Sequence, residues 1–478
     1  MTVVRYCRRF NSRDQDAFAM LSGDYNPLHL DAVGARRLIF GAPVVHGMHT
    51  LLWALDCWLA ERAGRMELCA VRALFAEPLR LDEEVRLGLR REEGERVELE
   101  LRTGSAMVTE IELAWREAQC PPGACPAADF TGKRQPRVMP EGELAGGAGT
   151  LALGLDSAAA AALFPHLTRC LAPRQLAILL GTTRLVGMEC PGLRSLYSEL
   201  SLASCDGQTG NSLNYRVTEY DRRFGMVLMQ VAAPGLAGTI KAFVRPEPQA
   251  QAGYRKLKEL VRCDEFSGQR ALVIGGSRGL GEVTAKLLAA GAAAVKLTYH
   301  QGAEDAQRVV EEIVSGGGLA ESFQYDVLNS GPDFLKGALQ NWVPTHLYYF
   351  ATPFIFCGTA ERFSPELFDK FCAYYVRGWL ATLTPLRQLG LQNAFYPSSV
   401  AIDELPWGMA EYAAAKGAGE MLCRYLEKAE RGLVIHRPRF PRLETDQTAS
   451  ILSGSSHDPV PVLLQHLRLF RDGAAKTG

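Results

Sequence analysis

The apolar residues of this chain change their spacing part way along, and no single sheet serves both patterns. Val85, Leu87 and Leu89, then Val97, Leu99 and Leu101, then Met107, Thr109, Ile111, Leu113 and Trp115 recur at every second position, with Glu93-Gly94 and Gly104-Ser105 as breaks. Such alternation is the pattern of an antiparallel meander with one buried face. From Ala271 the order becomes a short apolar strand (Ala271–Ile274), a glycine loop (Gly275–Gly281), a helix (Glu282–Ala290), a strand (Ala294–Tyr299) and a helix (Ala306–Val314). Alternating β and α elements build a parallel, doubly wound sheet. The 478 residues therefore hold domains of two classes, within the roughly two to four domains that this length suggests.

The first segment opens with a polar helical stretch and a turn-rich loop, Ser22–Asp31. A helix follows, roughly His46–Arg62, apolar nearly all round, so a curved sheet has to enclose it. Residues 117–147 carry Pro121, Pro122, Pro126, Pro136 and Pro140 and read as a linker. The order then repeats: a helix around Pro173–Leu185, then strands near Leu196–Ala203, Leu213–Tyr220, Met226–Ala232 and Gly238–Val244. One helix followed by a meander, twice, suggests an internal duplication. A charged connector, Tyr254–Arg262, leads into the third segment.

Composition removes several function classes. Lys plus Arg number 52 and Asp plus Glu 53, a balance that lacks the basic excess of a nucleic-acid binder or an anionic-membrane binder. No apolar stretch reaches about 18 residues, and Met1–Asp16 lacks the features of a secretory signal, so the expectation is a cytoplasmic protein. The 12 cysteines are spread too evenly for a disulfide framework. Cys120 and Cys125 are close together but have no histidine beside them to complete a metal site, and no metal is expected.

Asp24 and His29 lie five residues apart in a loop stiffened by Asn26 and Pro27. A carboxylate and an imidazole held this way can share one water or one hydroxyl, one taking a proton as the other gives one, which is what moving water across a double bond requires. His46-Gly47-Met48 opens the apolar helix, where free N–H groups can polarise a carbonyl. The strings Ser22-Gly-Asp-Tyr-Asn-Pro-Leu-His-Leu-Asp31 and Phe40-Gly-Ala-Pro-Val-Val-His-Gly-Met48 closely resemble the MaoC-like (R)-specific enoyl-thioester hydratases. That resemblance covers about the first 115 residues. It implies a hot-dog fold, Asp24 and His29 as the catalytic pair, and the Gly47 amide as oxyanion donor. The middle segment has no equivalent loop, so the arrangement resembles double hot-dog hydratases in which one half has lost its motif.

In the third segment, Gly275-Gly-Ser-Arg-Gly-Leu-Gly281 follows a strand and opens a helix, the setting in which a backbone can approach a pyrophosphate. Tyr412 and Lys416 are four residues apart and share one helix face. An ammonium near a phenol stabilises phenolate and would suit Tyr412 to proton transfer near neutral pH. Ser399 precedes them. Together these resemble the short-chain dehydrogenase/reductase family over about residues 268–450. The resemblance implies Tyr412 as acid/base, Lys416 binding ribose and lowering the tyrosine pKa, Ser399 orienting the carbonyl, and Asp326 contacting adenine. Gly275, Ser277, Arg278, Gly279, Leu280 and Gly281 would line the cofactor, with Tyr412 and Lys416. Three stretches depart from the family: Tyr349-Phe-Ala-Thr352 replaces Asn-Asn-Ala-Gly, Tyr375 stands where the helical asparagine belongs, and His436–Arg442 replaces the usual Pro-Gly. The second strand ends in Tyr299-His-Gln301 with no acid for a ribose 2′-hydroxyl, and Arg278 could pair with a 2′-phosphate, so NADP(H) is the expected cofactor.

The expected architecture is an α+β double hot-dog followed by an α/β doubly wound, Rossmann-like sheet. Its parts are a catalytic hot-dog (1–118), a linker (119–147), a degenerate second hot-dog (148–250), a connector (251–267) and a reductase domain (268–478). The expected function is reduction of a 3-oxoacyl thioester and dehydration of the (R)-3-hydroxyacyl thioester, on CoA or an acyl carrier protein. Neither nucleic acid nor membrane is an expected partner, and a homo-oligomer through the reductase domain is left open. Two rivals stand beside this reading: a hydratase with a dead nucleotide-binding domain, and a catabolic hydratase–dehydrogenase.

Overall fold

Ten strands form one antiparallel sheet in the N-terminal part: β1 (Val3–Arg9), β2 (Met66–Phe75), β3 (Glu84–Glu93), β4 (Arg96–Thr103), β5 (Ala106–Glu117), β6 (Ala148–Ala152), β7 (Ser195–Ser204), β8 (Ser212–Asp221), β9 (Met226–Ala233) and β10 (Leu236–Val244). The computed structural model describes residues 3–118, 125–130, 132, 134–206, 209–358, 362–448 and 455–474. Cys120 and the first two linker prolines lie outside these. The chain divides into two units, one ending at Glu247 and one beginning at Pro248.

Across the first sheet the order is β1-β3-β4-β5-β2-β7-β10-β9-β8-β6. From the centre outward, each half presents its second, fifth, fourth, third and first strand. The repeat inferred from hydrophobic pattern is therefore a repeat of topology. The halves join where β2 pairs with β7, Ala70 opposite Ala203 through Leu74 opposite Glu199. Each half lays one long helix against the sheet, Gly47–Leu59 and Pro173–Arg184. In the first of these all residues but Gly47 and Cys57 are buried, as an all-round apolar helix requires. Its one acid, Asp56, accepts bonds from the backbone N–H groups of His166 and Leu167 at 2.8 and 2.7 Å.

The meander differs from expectation at one point. Register shifts between Leu101 and Arg102, so Val108 rather than Met107 enters the core. A bulge exchanges the faces of the residues beyond it.

The second unit is a parallel sheet of β11 (Arg270–Ile274), β12 (Ala294–Tyr299), β13 (Leu319–Gln324), β14 (His346–Tyr349), β15 (Asn393–Phe395) and, beyond the short β16 (Ser398–Ser399), β17 (Val434–His436). The order is β13-β12-β11-β14-β15-β17, which is the doubly wound 3-2-1-4-5-6 arrangement. β16 pairs separately with β18 (Arg439–Phe440). Among the described residues no helix is long and apolar enough to cross a membrane.

Leu200 sits on β7 at the join, fully buried, opposite Ala73 and Ile240. Leu200→Ala leaves a cavity that the flanking strands cannot close, and should cost about 2–5 kcal/mol. Denaturant unfolding should show this as a lower midpoint with unchanged slope.

Candidate active sites

Asp24 ends the turn after the Ser12–Ser22 helix, and the Asn26 side chain accepts from the Leu28 N–H to start the short Pro27–Leu30 helix that carries His29. This local geometry brings Asp24 and His29 together with His46, their oxygen and nitrogen atoms within 4.8 Å of one another. That spacing could also accommodate a cation. Both His46 nitrogens are already engaged, however, Nδ1 with Gln15 Oε1 at 2.9 Å and Nε2 with the Asp24 carbonyl at 3.1 Å. His29 Nδ1 donates to the Val44 carbonyl at 2.8 Å, which fixes the tautomer and leaves the Nε2 lone pair to accept a proton. The two imidazoles stack with centroids 3.8 Å apart.

Burial sets the charges here. It raises Asp24 to about 6, partly offset by hydrogen bonds from Thr183 and the Asn26 amide. Burial also brings His29 down to about 4, although its bond to Val44 opposes this. At neutral pH the pair is a carboxylate and a neutral imidazole, both able to take a proton. Gly47 is the first residue of its helix, so its N–H has no intrahelical acceptor and is available to a carbonyl oxygen. A Cβ at this position would stand 2.8 Å from the Phe75 ring.

The second half takes a larger part in this site than its sequence suggests. Thr183 Oγ1 donates to Asp24 Oδ2 at 2.7 Å. Gly187 packs so closely that any Cβ there would run into the Asp24 carboxylate. The Asn26 side-chain Nδ2 donates to the carbonyls of Gly187 and Gly192 at 3.0 and 3.2 Å. Sequence reasoning missed Thr183, Gly187, Gln15 and any role for His46. His46 was legible as part of the helix-opening string, whereas Thr183 carries no local signal.

In the second unit Gly275 (φ +76°) and Gly279 (φ +57°) hold left-handed conformations that favour glycine. A Cβ on Gly281 would collide with the Gly275 carbonyl, so the third glycine lets helix Gly279–Ala290 pack against the loop. The Gly275 and Gly276 amides are tied to Thr298, at 3.1 and 2.9 Å. Ser277 is buried and Leu280 half-buried. Arg278 Nη1 lies 3.9 Å from Asp446 Oδ2, so the cation expected to meet a 2′-phosphate already faces a carboxylate. Asp326 accepts from the Leu328 amide and from Asn329 at 2.9 and 2.8 Å, and stands 3.4 Å from His300 Nε2.

Ser399 on β16 and Tyr412 and Lys416 on helix Ala410–Ala429 come together as expected. A hydrogen bond from Ser399 favours the ionised Tyr412, but burial outweighs it and pushes the phenol up to about 12. The expectation of a phenol acidified by Lys416 is therefore not met. Lys416 Nζ is 5.9 Å from the Tyr412 ring centroid and donates instead to the Pro397 carbonyl at 2.7 Å. Glu420, one turn on, accepts from Ser398 Oγ at 2.5 Å and pairs with Arg439, which also binds Asp403. Arg439 thus gives the unusual His436–Arg442 stretch a structural task, tying helix Ala410–Ala429 to the segment after Ser399.

The MaoC like domain matches residues 4–113. Over 45 residues the chain is 50% identical to an (R)-specific enoyl-CoA hydratase of Aeromonas caviae, covering 9% of this chain and 34% of that protein, so only about a third of its length is matched. It is 30% identical over 219 residues to the uncharacterized oxidoreductase YgfF of Escherichia coli, covering 43% of this chain and 87% of that protein. A short chain dehydrogenase from Burkholderia cenocepacia, solved in complex with NADP, is 26% identical over 42% of this chain and 89% of its own, with a TM-score of 0.36.

If Asp24 acts as a carboxylate, kcat/KM for hydration of a 2-enoyl thioester should rise with pH through about 6, with no further step from His29, which is already neutral there. Thr183→Val removes a donor that favours the ionised form, so this limb should move to higher pH. A pH–rate profile of both proteins checks it.

The MaoC-like domain at residues 4–113, the Ser/Tyr/Lys set behind a glycine loop, and the oxidoreductase likeness over the C-terminal part make this chain a fusion of a MaoC-like hydratase/dehydratase domain with a short-chain dehydrogenase/reductase.

Proposed function

We propose that the chain is a bifunctional 3-oxoacyl-thioester reductase and (R)-3-hydroxyacyl-thioester dehydratase, acting on CoA-bound or carrier-protein-bound acyl groups with NADP(H). The observation that carries this reading is the pairing in one chain of an assembled Asp24/His29 couple with an assembled Ser399/Tyr412/Lys416 set. Reduction of a β-keto group yields the 3-hydroxyacyl thioester that the other site dehydrates, so the two chemistries share an intermediate. In domain terms residues 1–118 form the catalytic hot-dog, 148–250 its degenerate partner in a double hot-dog, and 268–478 the reductase, with 119–147 and 251–267 as connections.

At the first site the substrate hydroxyl sits between Asp24 and His29. The pair takes the proton from the carbon next to the thioester carbonyl and delivers that same proton to the departing hydroxyl, which leaves as water as the C–O bond breaks and the double bond forms. The Gly47 N–H stabilises the charge that develops on the carbonyl oxygen.

The second unit fits a dinucleotide. The backbone at Gly275 and Gly279 is in left-handed conformations, and the crowding at Gly281 brings a helix N-terminus over the loop, which is the cradle a pyrophosphate needs. Gly275, Ser277, Arg278, Gly279, Leu280 and Gly281 would hold the phosphates, Asp326 the adenine end, and Lys416 the nicotinamide ribose. The bound cofactor would supply hydride. Tyr412 delivers a proton to the carbonyl oxygen, which Ser399 orients by a hydrogen bond. The support for NADPH is the position of Arg278 in the glycine loop, where its guanidinium could pair with a 2′-phosphate by turning from Asp446, 3.9 Å away.

Purified protein given 2-enoyl and 3-oxoacyl thioesters tests the whole reading. Asp24→Asn or His29→Ala should abolish hydration and leave reduction intact, and Tyr412→Phe should do the reverse while NADPH still binds. If the wild type oxidises no NADPH with any 3-oxoacyl thioester, the nucleotide-binding-remnant reading replaces this one.

Arg278→Ala should weaken NADPH by about 1.5–3 kcal/mol, the value of a charge-assisted bond, and leave NADH nearly unchanged. Titration of each cofactor by fluorescence measures the difference, and equal losses for both would refute the assignment.

A further inference from the structure

Two of the departures from the reductase family, separate in sequence, meet in the structure. Tyr375 is fully buried within the Ala373–Gly378 turn of π-helix. Its hydroxyl is 2.6 Å from Thr352 Oγ1. Its ring stacks parallel to Phe371, at an interplanar angle of 8°, and meets Tyr412 edge to face with centroids 5.7 Å apart. Held on all these sides, the ring presents its face to Lys416, whose Nζ stands 3.9 Å from the centroid.

Lys416 has few other partners for its charge. Its one hydrogen bond among the described residues runs to the Pro397 carbonyl, and no carboxylate there lies within ion-pair distance of it. The groups that face it are the Tyr375 ring, the Tyr396 ring at 5.2 Å, Tyr412, and Glu420 and Cys423 from its own helix. A desolvated ammonium over an aromatic face is stabilised by the ring quadrupole. We propose that Tyr375 is a positioning residue of the reductase site: its ring face holds the Lys416 ammonium where the family places a hydrogen-bonding asparagine, and Thr352 seats the ring. The role in reduction rests on the function proposed above, but the contact itself does not.

Burial, opposed in part by Cys423 and Glu420, brings Lys416 down to about 7, so any loss of support for its charge falls in a range that solution experiments reach. The atom doing the work is the ring face rather than the hydroxyl, and this separates the proposal from a general packing role. Phenylalanine keeps the face, and pentafluorophenylalanine keeps the shape while reversing the quadrupole.

The test follows the Lys416 side-chain signal against pH by NMR in the full chain with isotopically labelled lysine, without cofactor, the signal assigned with Lys416→Arg. Tyr375→Phe should leave the midpoint near that of the wild type. Tyr375→pentafluorophenylalanine should lower it by about one unit, with thermal unfolding unchanged. The alkaline limb of the pH–rate profile for reduction should move down by the same amount. Equal midpoints in the two variants would overturn the proposal, as would a fall in Tyr375→Phe as large as in the fluorinated protein, since that places the effect in the hydroxyl. A wild type without reductase activity would refute the proposed function, while the titration would still decide the Tyr375–Lys416 contact.

Discussion

A single hydrogen bond, from Thr183 Oγ1 to Asp24 Oδ2, links the two halves of the ten-stranded sheet at the atom on which the first site depends. A buried carboxylate without donors would be driven to its neutral form. Thr183 and the Asn26 amide keep Asp24 near the point where both forms are populated, and Gly187 gives it room. The half that lacks the Asp24/His29 loop is thus part of the electrostatics of the half that has it. The Asn26 side chain strengthens the connection, its Nδ2 donating to the carbonyls of Gly187 and Gly192.

The second unit solves the same problem with different groups. Its lysine is buried against a carbonyl and aromatic faces, with no carboxylate within ion-pair distance among the described residues. Its tyrosine is held high by burial and eased by a serine. In both units desolvation is the larger effect and one or two placed donors are the correction. Proton-transfer groups are tuned in this way when they must change state near neutral pH.

What could be read from sequence was what is local. Asp24 and His29 lie five residues apart, Tyr412 and Lys416 about one helical turn apart, and the glycine loop is seven consecutive residues, so each is a short string. The meanders announced themselves by period two. β1 and β2 did not: Val3–Arg9 mixes apolar and basic residues, and Met66–Phe75 runs through the centre of the sheet with little alternation, as strands covered on both edges often do. Thr183 stands 159 residues from Asp24, and only the pairing of β2 with β7 makes them neighbours. Lys416 was legible as a partner for Tyr412, but its attachment to Pro397 and Tyr375 was not, because that depends on where β16 ends and where the π-helical turn places a ring.

The mirrored strand order has a consequence of a genetic kind. A hot-dog dimer built from one sequence must carry each substitution twice, so a change that suits one site is imposed on its twin. Here the two halves belong to one chain, and each position varies alone. One half carries the Asp24/His29 loop, and the other supplies a threonine hydroxyl, a glycine gap and two carbonyls around it. What a symmetric assembly would present twice, this chain presents once, with the residues of the second half placed around it.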